Sequence, residues 1–241
     1  MNAVLGDVRV DLQPIDTIED ANEFDRILSL IWEVEPGTGF MDVAIVRALA
    51  HAGNYAFLAV QDGETIGATL GFVGLDDGKP VLHSHVTGVR TDLQHRSIGY
   101  AVKMHQRDWA LARGIETVFW TYDPMMARNA YFNIMKLGGK VVAYEPNFYG
   151  PFRRGIYARP EGDAMFVRWD LLDAGPRPEP NLQGAVLVAI PQNVRQLRRD
   201  DPDEAAAWQH RVRDQIRPLL KDGYAATGFT RDARYVLTRD R

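Results

Sequence analysis

Apolar and polar residues alternate along the chain with two periods, and the changes of period mark the elements. Phe24, Ile27, Leu28 and Ile31 recur at helical spacing behind Thr17, whose partner Asp20 three residues on makes a capping box, so a helix is predicted from Asp16 or Thr17 until Pro36-Gly37 stops it. A shorter helix is expected from Met41 to Ala52, closed by Gly53. Strand-like runs follow at Tyr55–Val60, Thr65–Val73 and Pro80–Arg90, separated by the turn pairs Asp62-Gly63 and Asp77-Gly78. The helical period returns from Ile98 to Arg113, with Gly114 just beyond it. The run 115–122, rich in β-branched and aromatic residues, reads as a buried strand. A helix is then expected over 125–139, with strands at Lys140–Tyr144 and Met165–Leu171.

The stretch 174–184 breaks every period with its prolines and glycines and reads as a linker. Domains are therefore expected at 1–173 and 185–241. The second carries strands at Ala185–Ile190, Tyr224–Thr230 and Arg234–Thr238 and a helix at Pro202–Lys221. Ala205, Trp208, Val212, Ile216, Leu219 and Leu220 form an apolar stripe on that helix, too small a surface to fold alone. It is expected to pack on the rest of the chain, with homodimerisation as the lesser alternative.

Charge follows the same boundary: the balance is −7 over residues 1–176 and +3 over 177–241. A net charge of −4 argues against nucleic acid as partner. With 241 residues, 46% of them hydrophobic, the chain has enough apolar material for a core. The lack of cysteine excludes disulfides, thiolate metal ligands and a cysteine nucleophile. No apolar run is long enough for a membrane span, and the acidic N-terminus does not resemble a signal peptide, so a cytoplasmic location is expected.

The chemistry concentrates in residues 83–114. A strand ends near Arg90, and Gln94, His95, Arg96, Ser97, Ile98, Gly99 and Tyr100 form a tight turn into the next helix. Backbone N–H groups at a helix start lack intrahelical acceptors and lie at the positive end of the macrodipole, so such a turn can cradle a pyrophosphate. Arg96 adds a charge, and Gly99 lets a ligand approach the backbone. The bland alternative is a polar turn capping an ordinary helix.

Gln94-x-x-Ser97-x-Gly99, after a strand that includes Val89, resembles motif A of the GNAT superfamily of N-acetyltransferases. The order of elements over residues 8–172 is also similar. HSHVTGV, GYAVKMHQRDWALARGIE and DPMMARNAYFN resemble a little-described branch of predicted acetyltransferases. The resemblance implies a mixed α/β fold with a splayed central sheet flanked by helices. It also implies acetyl-CoA as donor, with Val89 and the turn 94–100 as its binding residues and Asn129 on the pantetheine arm. The acceptor would be a small-molecule or peptide amine, attacking the thioester directly. Two departures stand out. Ser97 replaces the motif's middle glycine and suffices only if φ > 0 is not required there. Ile134 stands where the family's general-acid tyrosine is usual, and Tyr131, one turn earlier on nearly the same helix face, is the nearest phenol.

Candidate general bases are His85 and His83, at i and i+2 on one strand face; hydrogen bonding within the sheet is the alternative role. Two histidines are too few to indicate a metal, and none is expected. Glu33 and Glu35, at the end of the first helix, are acceptor-site candidates or solvated charges. Asp123 is a site candidate or an N-cap. Trp32, Phe40, Trp120, Tyr122 and Tyr131 are candidate pocket rings, core packing being the better reading for Trp120. Trp208 with Arg211 and Arg213 makes either an acid-binding patch or a partly buried tryptophan under a charged face. The non-catalytic alternative is an acyl-CoA-binding sensor, and a longer acyl donor is a further one.

Overall fold

The computed structural model describes residues 2–5, 8–93, 97–151 and 161–239, in two compact units that divide after Val118. Antiparallel strands flanked by helices make up the mixed α/β fold that was expected. In the first unit β1 (Asn2–Leu5), β2 (Val8–Pro14), β3 (Tyr55–Gln61), β4 (Glu64–Asp76) and β5 (Lys79–Val89) lie side by side in chain order, each antiparallel to the next. α1 (Ile18–Ile31) and α2 (Val43–His51) cover one face and α3 (Ile98–Leu111) the other. Strand alternation divides the core accordingly: Ala56, Leu58, Ala68 and Leu70 face α1 and α2, while Leu12, Ala59, Val89, Ile98 and Val102 pack on the α3 side.

The capping box of α1 forms as predicted, with Thr17 Oγ1 accepting from Asp20 N at 3.1 Å and Asp20 Oδ2 accepting from Thr17 N at 2.9 Å. Strands β1 and β2 are additions to the sequence reading, which begins its elements at residue 16.

The second unit holds the end of β6 (Thr117–Tyr122), α4 (Ala127–Tyr131), β7 (Lys140–Glu145), β8 (Ala164–Asp170) and everything after them. The later elements are β9 (Val186–Ala189), α5 (Val194–Asp200), α6 (Pro202–Lys221), β10 (Tyr224–Phe229) and β11 (Arg234–Arg239). Its strands run in the order β6-β8-β7-β10-β11-β9, so the C-terminal strands extend the sheet of β7 and β8. The apolar stripe of α6 finds its cover there: α6 packs on β7 and β10, burying Ala205, Val212, Ile216 and Leu220. A buried cluster fixes the helix. Arg213 donates from Nε and Nη2 to both oxygens of Asp163, at 3.0 and 2.8 Å, and also to Glu161. Tyr144 donates its hydroxyl to Asp163 at 2.6 Å. Arg213 is thus turned inward, and Arg211 stacks on Trp208 at 4.5 Å, so the structural reading of this trio holds. The short helix α5 was missed; its cap, Asn193 accepting from Gln196 N, is a weak signal in a charged stretch.

The helix expected over 125–139 is α4 followed by a π-helical turn, Phe132–Lys136. The wider turn changes the rotation per residue, which corrects the placement of Tyr131 and Ile134 on nearly one face. Ile134 is fully buried, whereas Tyr131 is partly exposed, with Lys136 Nζ 6.0 Å from its ring centroid.

Candidate active site

Strand β5 carries the candidate bases, and its register explains how they are presented. Leu70 pairs with Val86 but Gly71 pairs with Ser84, so His85 is the extra residue of a β-bulge. The Thr69 hydroxyl donates to Val86 O at 3.1 Å and secures the bulge from β4. Phe72, opposite His83 in the register, stacks on its ring at 4.8 Å and 28°. His85 lies 6.0 Å from each of these rings, centroid to centroid, so the histidines share one face as the spacing predicts. Neither imidazole has a hydrogen-bond or ion-pair partner among the described residues, which removes the reading of both as sheet-bonded groups. His85 is exposed at one side, yet partial loss of hydration lowers its pKa from the ordinary 6.5. Burial, then His85 and Lys103, push His83 down to about 4. Both rings are therefore neutral at pH 7.

Ser84 points to the opposite face, where Lys103 of α3 donates to its Oγ at 2.8 Å and to Gln106 Oε1 at 3.0 Å. Burial pushes the Lys103 ammonium down to about 7. The sequence reading missed Lys103, Ser84 and Phe72. A lysine inside the otherwise apolar stripe of Ile98, Val102 and Trp109 was the one available signal.

Further along β5, a side chain at Gly88 would collide with the Trp32 ring and with Leu28, so this glycine seats Trp32 against the strand. Phe40 lies 5.0 Å from Trp32, and the intervening loop is anchored by Asp25 Oδ1, which accepts from Phe40 N at 2.6 Å and Met41 N at 2.9 Å. Glu33 follows Trp32, exposed and with φ at 52°. Glu35 is also exposed, its carbonyl accepting from Thr38 N and Oγ1 in the turn.

Gln94, His95 and Arg96 lie outside the described residues. Ser97 is the N-cap of α3 and is left-handed, with φ 59° and ψ 11°. The condition set for a serine in the motif's middle position is therefore not met: this position does take φ > 0. An L-residue there costs about 1–2 kcal/mol, offset in part by the roughly 0.5–1 kcal/mol entropic cost of a glycine. Ser97→Gly is accordingly expected to stabilise the protein by about 0.5–1 kcal/mol, read as a higher denaturant midpoint at unchanged slope. Ile98 is fully buried on Val10, Leu12 and Val102, fixing the first turn of α3 against the sheet. Gly99 and Tyr100 follow within that turn, partly exposed. Val89 closes β5, buried in the same cluster and paired with Gly67.

In the second unit, Asn129 is partly exposed on α4. Asp123 is a buried structural group: its Oδ1 accepts from Met125 N at 3.0 Å and its Oδ2 from Arg198 at 2.7 Å. Trp120 packs edge-on against Trp169, and the Tyr122 hydroxyl lies 3.1 Å from that of Tyr235. These two rings are core, which corrects Tyr122 as a pocket residue. Among the described residues no group of three or more His, Asp or Glu is placed to hold a metal, and no helix is long and apolar enough to cross a membrane.

No protein-family model matches the sequence, and no curated protein matches it. Solved structures do resemble the fold. The ribosomal-protein-S18-alanine N-acetyltransferase of Escherichia coli superposes with a TM-score of 0.50 at 16% identity, over 72% of this chain and 98% of that one. Naa20 of Chaetomium thermophilum, solved with a bisubstrate analogue, gives 0.52 at 16% identity, over 68% and 86%. Naa50 of Arabidopsis thaliana, in complex with the bisubstrate analogue CoA-Ac-MVNAL, gives 0.50 at 13% identity, over 66% and 97%. The fold is that of the GNAT acetyltransferases.

Proposed function

We propose that this chain is an acetyl-CoA-dependent N-acetyltransferase acting in the cytoplasm on a small-molecule or peptide amine. The observation that carries the reading is the bulged strand β5 leading into α3, within a fold shared with acetyltransferases. In this reading residues 1–173 form the acyl-CoA-binding domain and 185–241 an addition outside the cofactor site. The N–H groups at the start of α3, with Gln94, His95 and Arg96, hold the pyrophosphate, and Val89 contributes to binding of the cofactor. No bound metal takes part.

The amine nitrogen attacks the acetyl carbonyl, the new N–C bond forms and the C–S bond breaks. His85 takes the amine proton, with His83 as the alternative base and Glu33 as an ammonium-binding group. Position 134 offers no phenol; Tyr131 is the remaining candidate proton donor to the departing thiolate, but it does not share that face and does not simply inherit the role. Because partial loss of hydration lowers the His85 pKa, the base stays neutral until the pH drops below the ordinary imidazole value of 6.5. The acidic limb of the kcat/KM profile is therefore expected below pH 6.5, and its displacement by His85→Gln checks the assignment. An acidic limb that His85→Gln leaves in place contradicts it.

A second reading, an acyl-CoA-binding module without catalysis, draws on the fully buried Ile134 at the usual place of the acid. Thiol release from acetyl-CoA across a panel of amines separates the two. The enzyme releases CoA in an amine-dependent manner, and the module binds CoA without releasing it.

A further inference from the structure

Beyond Leu70 and Val86, β4 and β5 carry a set of rings that generic amine acetylation does not require. Phe72, His83 and His85 form a continuous row of rings, with Phe72 and His83 partly exposed and His85 exposed. The imidazoles are free of hydrogen-bond and ion-pair partners among the described residues and are neutral at pH 7, so the row does not repel an ammonium. The surrounding unit attracts one: residues 1–118 hold 17 Asp and Glu against 9 Lys and Arg, a balance of −8. A phosphate would need fixed cations, and this row, neutral at pH 7, offers none. A flat ring can stack on Phe72 while a short arm carries its nitrogen to the imidazoles.

We propose that this face is the acceptor site and that it takes a primary amine carried on an aromatic ring, with Phe72 selecting the ring. The fate of the amine rests on the acetyltransferase reading above; its binding does not. Ring stacking contributes beyond buried area by an amount equivalent to about 3- to 10-fold in affinity. That surplus is what distinguishes an aromatic from a saturated ring of similar size.

The experiment uses the full chain with 2-phenylethylamine and 2-cyclohexylethylamine as probes. Amine binding is followed by NMR titration in the presence of CoA, and turnover by thiol release from acetyl-CoA. The phenyl amine is expected to bind about 3- to 10-fold tighter than its saturated analogue. Phe72→Leu is expected to abolish the preference through the aromatic amine's Kd and KM, while Phe72→Tyr retains it. Ring-selective binding lost in Phe72→Leu but without turnover of either amine upholds the binding face and counts against its use in acetyl transfer. Equal binding of both amines, or a preference unaffected by Phe72→Leu, overturns the proposal even if amines are acetylated. Absence of both binding and turnover with these amines overturns the proposal, while turnover across a wider amine panel still decides the acetyltransferase reading.

Discussion

Arg213→Met is expected to destabilise the protein by about 3–5 kcal/mol, because it leaves a buried carboxylate without its cation. Asp163 is 2% exposed, and both its oxygens accept from Arg213. Burial alone would raise its pKa, but the Arg213 and Tyr144 hydrogen bonds outweigh burial and hold it below the usual carboxylate value. A carboxylate with a lowered folded pKa contributes stability that is present above its unfolded pKa and is lost as the pH falls through the folded one. The native protein should therefore keep this contribution down to the acid side of 3.8. In Arg213→Met, only the Tyr144 hydroxyl and the Asn147 N–H still oppose burial at Asp163, so its pKa should rise and stability should decline at higher pH. Urea unfolding from pH 7 to pH 3 checks both parts, and adding Asp163→Asn to Arg213→Met should recover part of the loss. A variant that unfolds at the same midpoint as the native chain would show that α6 is not held by this cluster.

Gly99→Asp is expected to abolish CoA binding without weakening the fold. Gly99 sits in ordinary helical backbone in the first turn of α3, where no positive φ calls for glycine. Glycine in a helix costs about 0.5–1 kcal/mol relative to alanine, and an acidic side chain near a helix N-terminus typically gains 0.3–1 kcal/mol. The melting temperature should therefore hold or rise. A pyrophosphate on the same turn would meet a like charge. At about 4 Å and an effective dielectric near 20 the repulsion is about 4 kcal/mol, roughly a thousandfold in affinity. Stability and affinity moving in opposite directions is a signature that a merely structural glycine does not produce. Calorimetric titration with CoA beside a melting curve reads both.

Much of this was legible in the sequence because the elements that form the site are local. The capping box at Thr17, the turn glycines and the periodic α3 each depend on residues within a few positions of one another. His83 and His85 could be placed on one face by strand alternation alone. The bulge at His85 could not, because it is a mismatch between β4 and β5, and neither strand carries it by itself. Phe72 escaped for the same reason: its partner is His83, eleven residues away across the register. Lys103 was hidden by its charge, which reads as a solvated position until Ser84 is seen beneath it. The π-helical turn after Tyr131 depends on how that segment packs around Ile134 and Met135, both buried. At Ser97, composition favoured an ordinary backbone, and only the observed φ of 59° shows that serine occupies a glycine-like conformation.

Calorimetric titration of acetyl-CoA into the full chain tests the central claim most directly. Saturable one-to-one binding is predicted, retained in Phe72→Leu, whose change lies on the acceptor face, and lost in Gly99→Asp. Absence of binding by the native chain, or equal binding by Gly99→Asp with its fold intact, would contradict it.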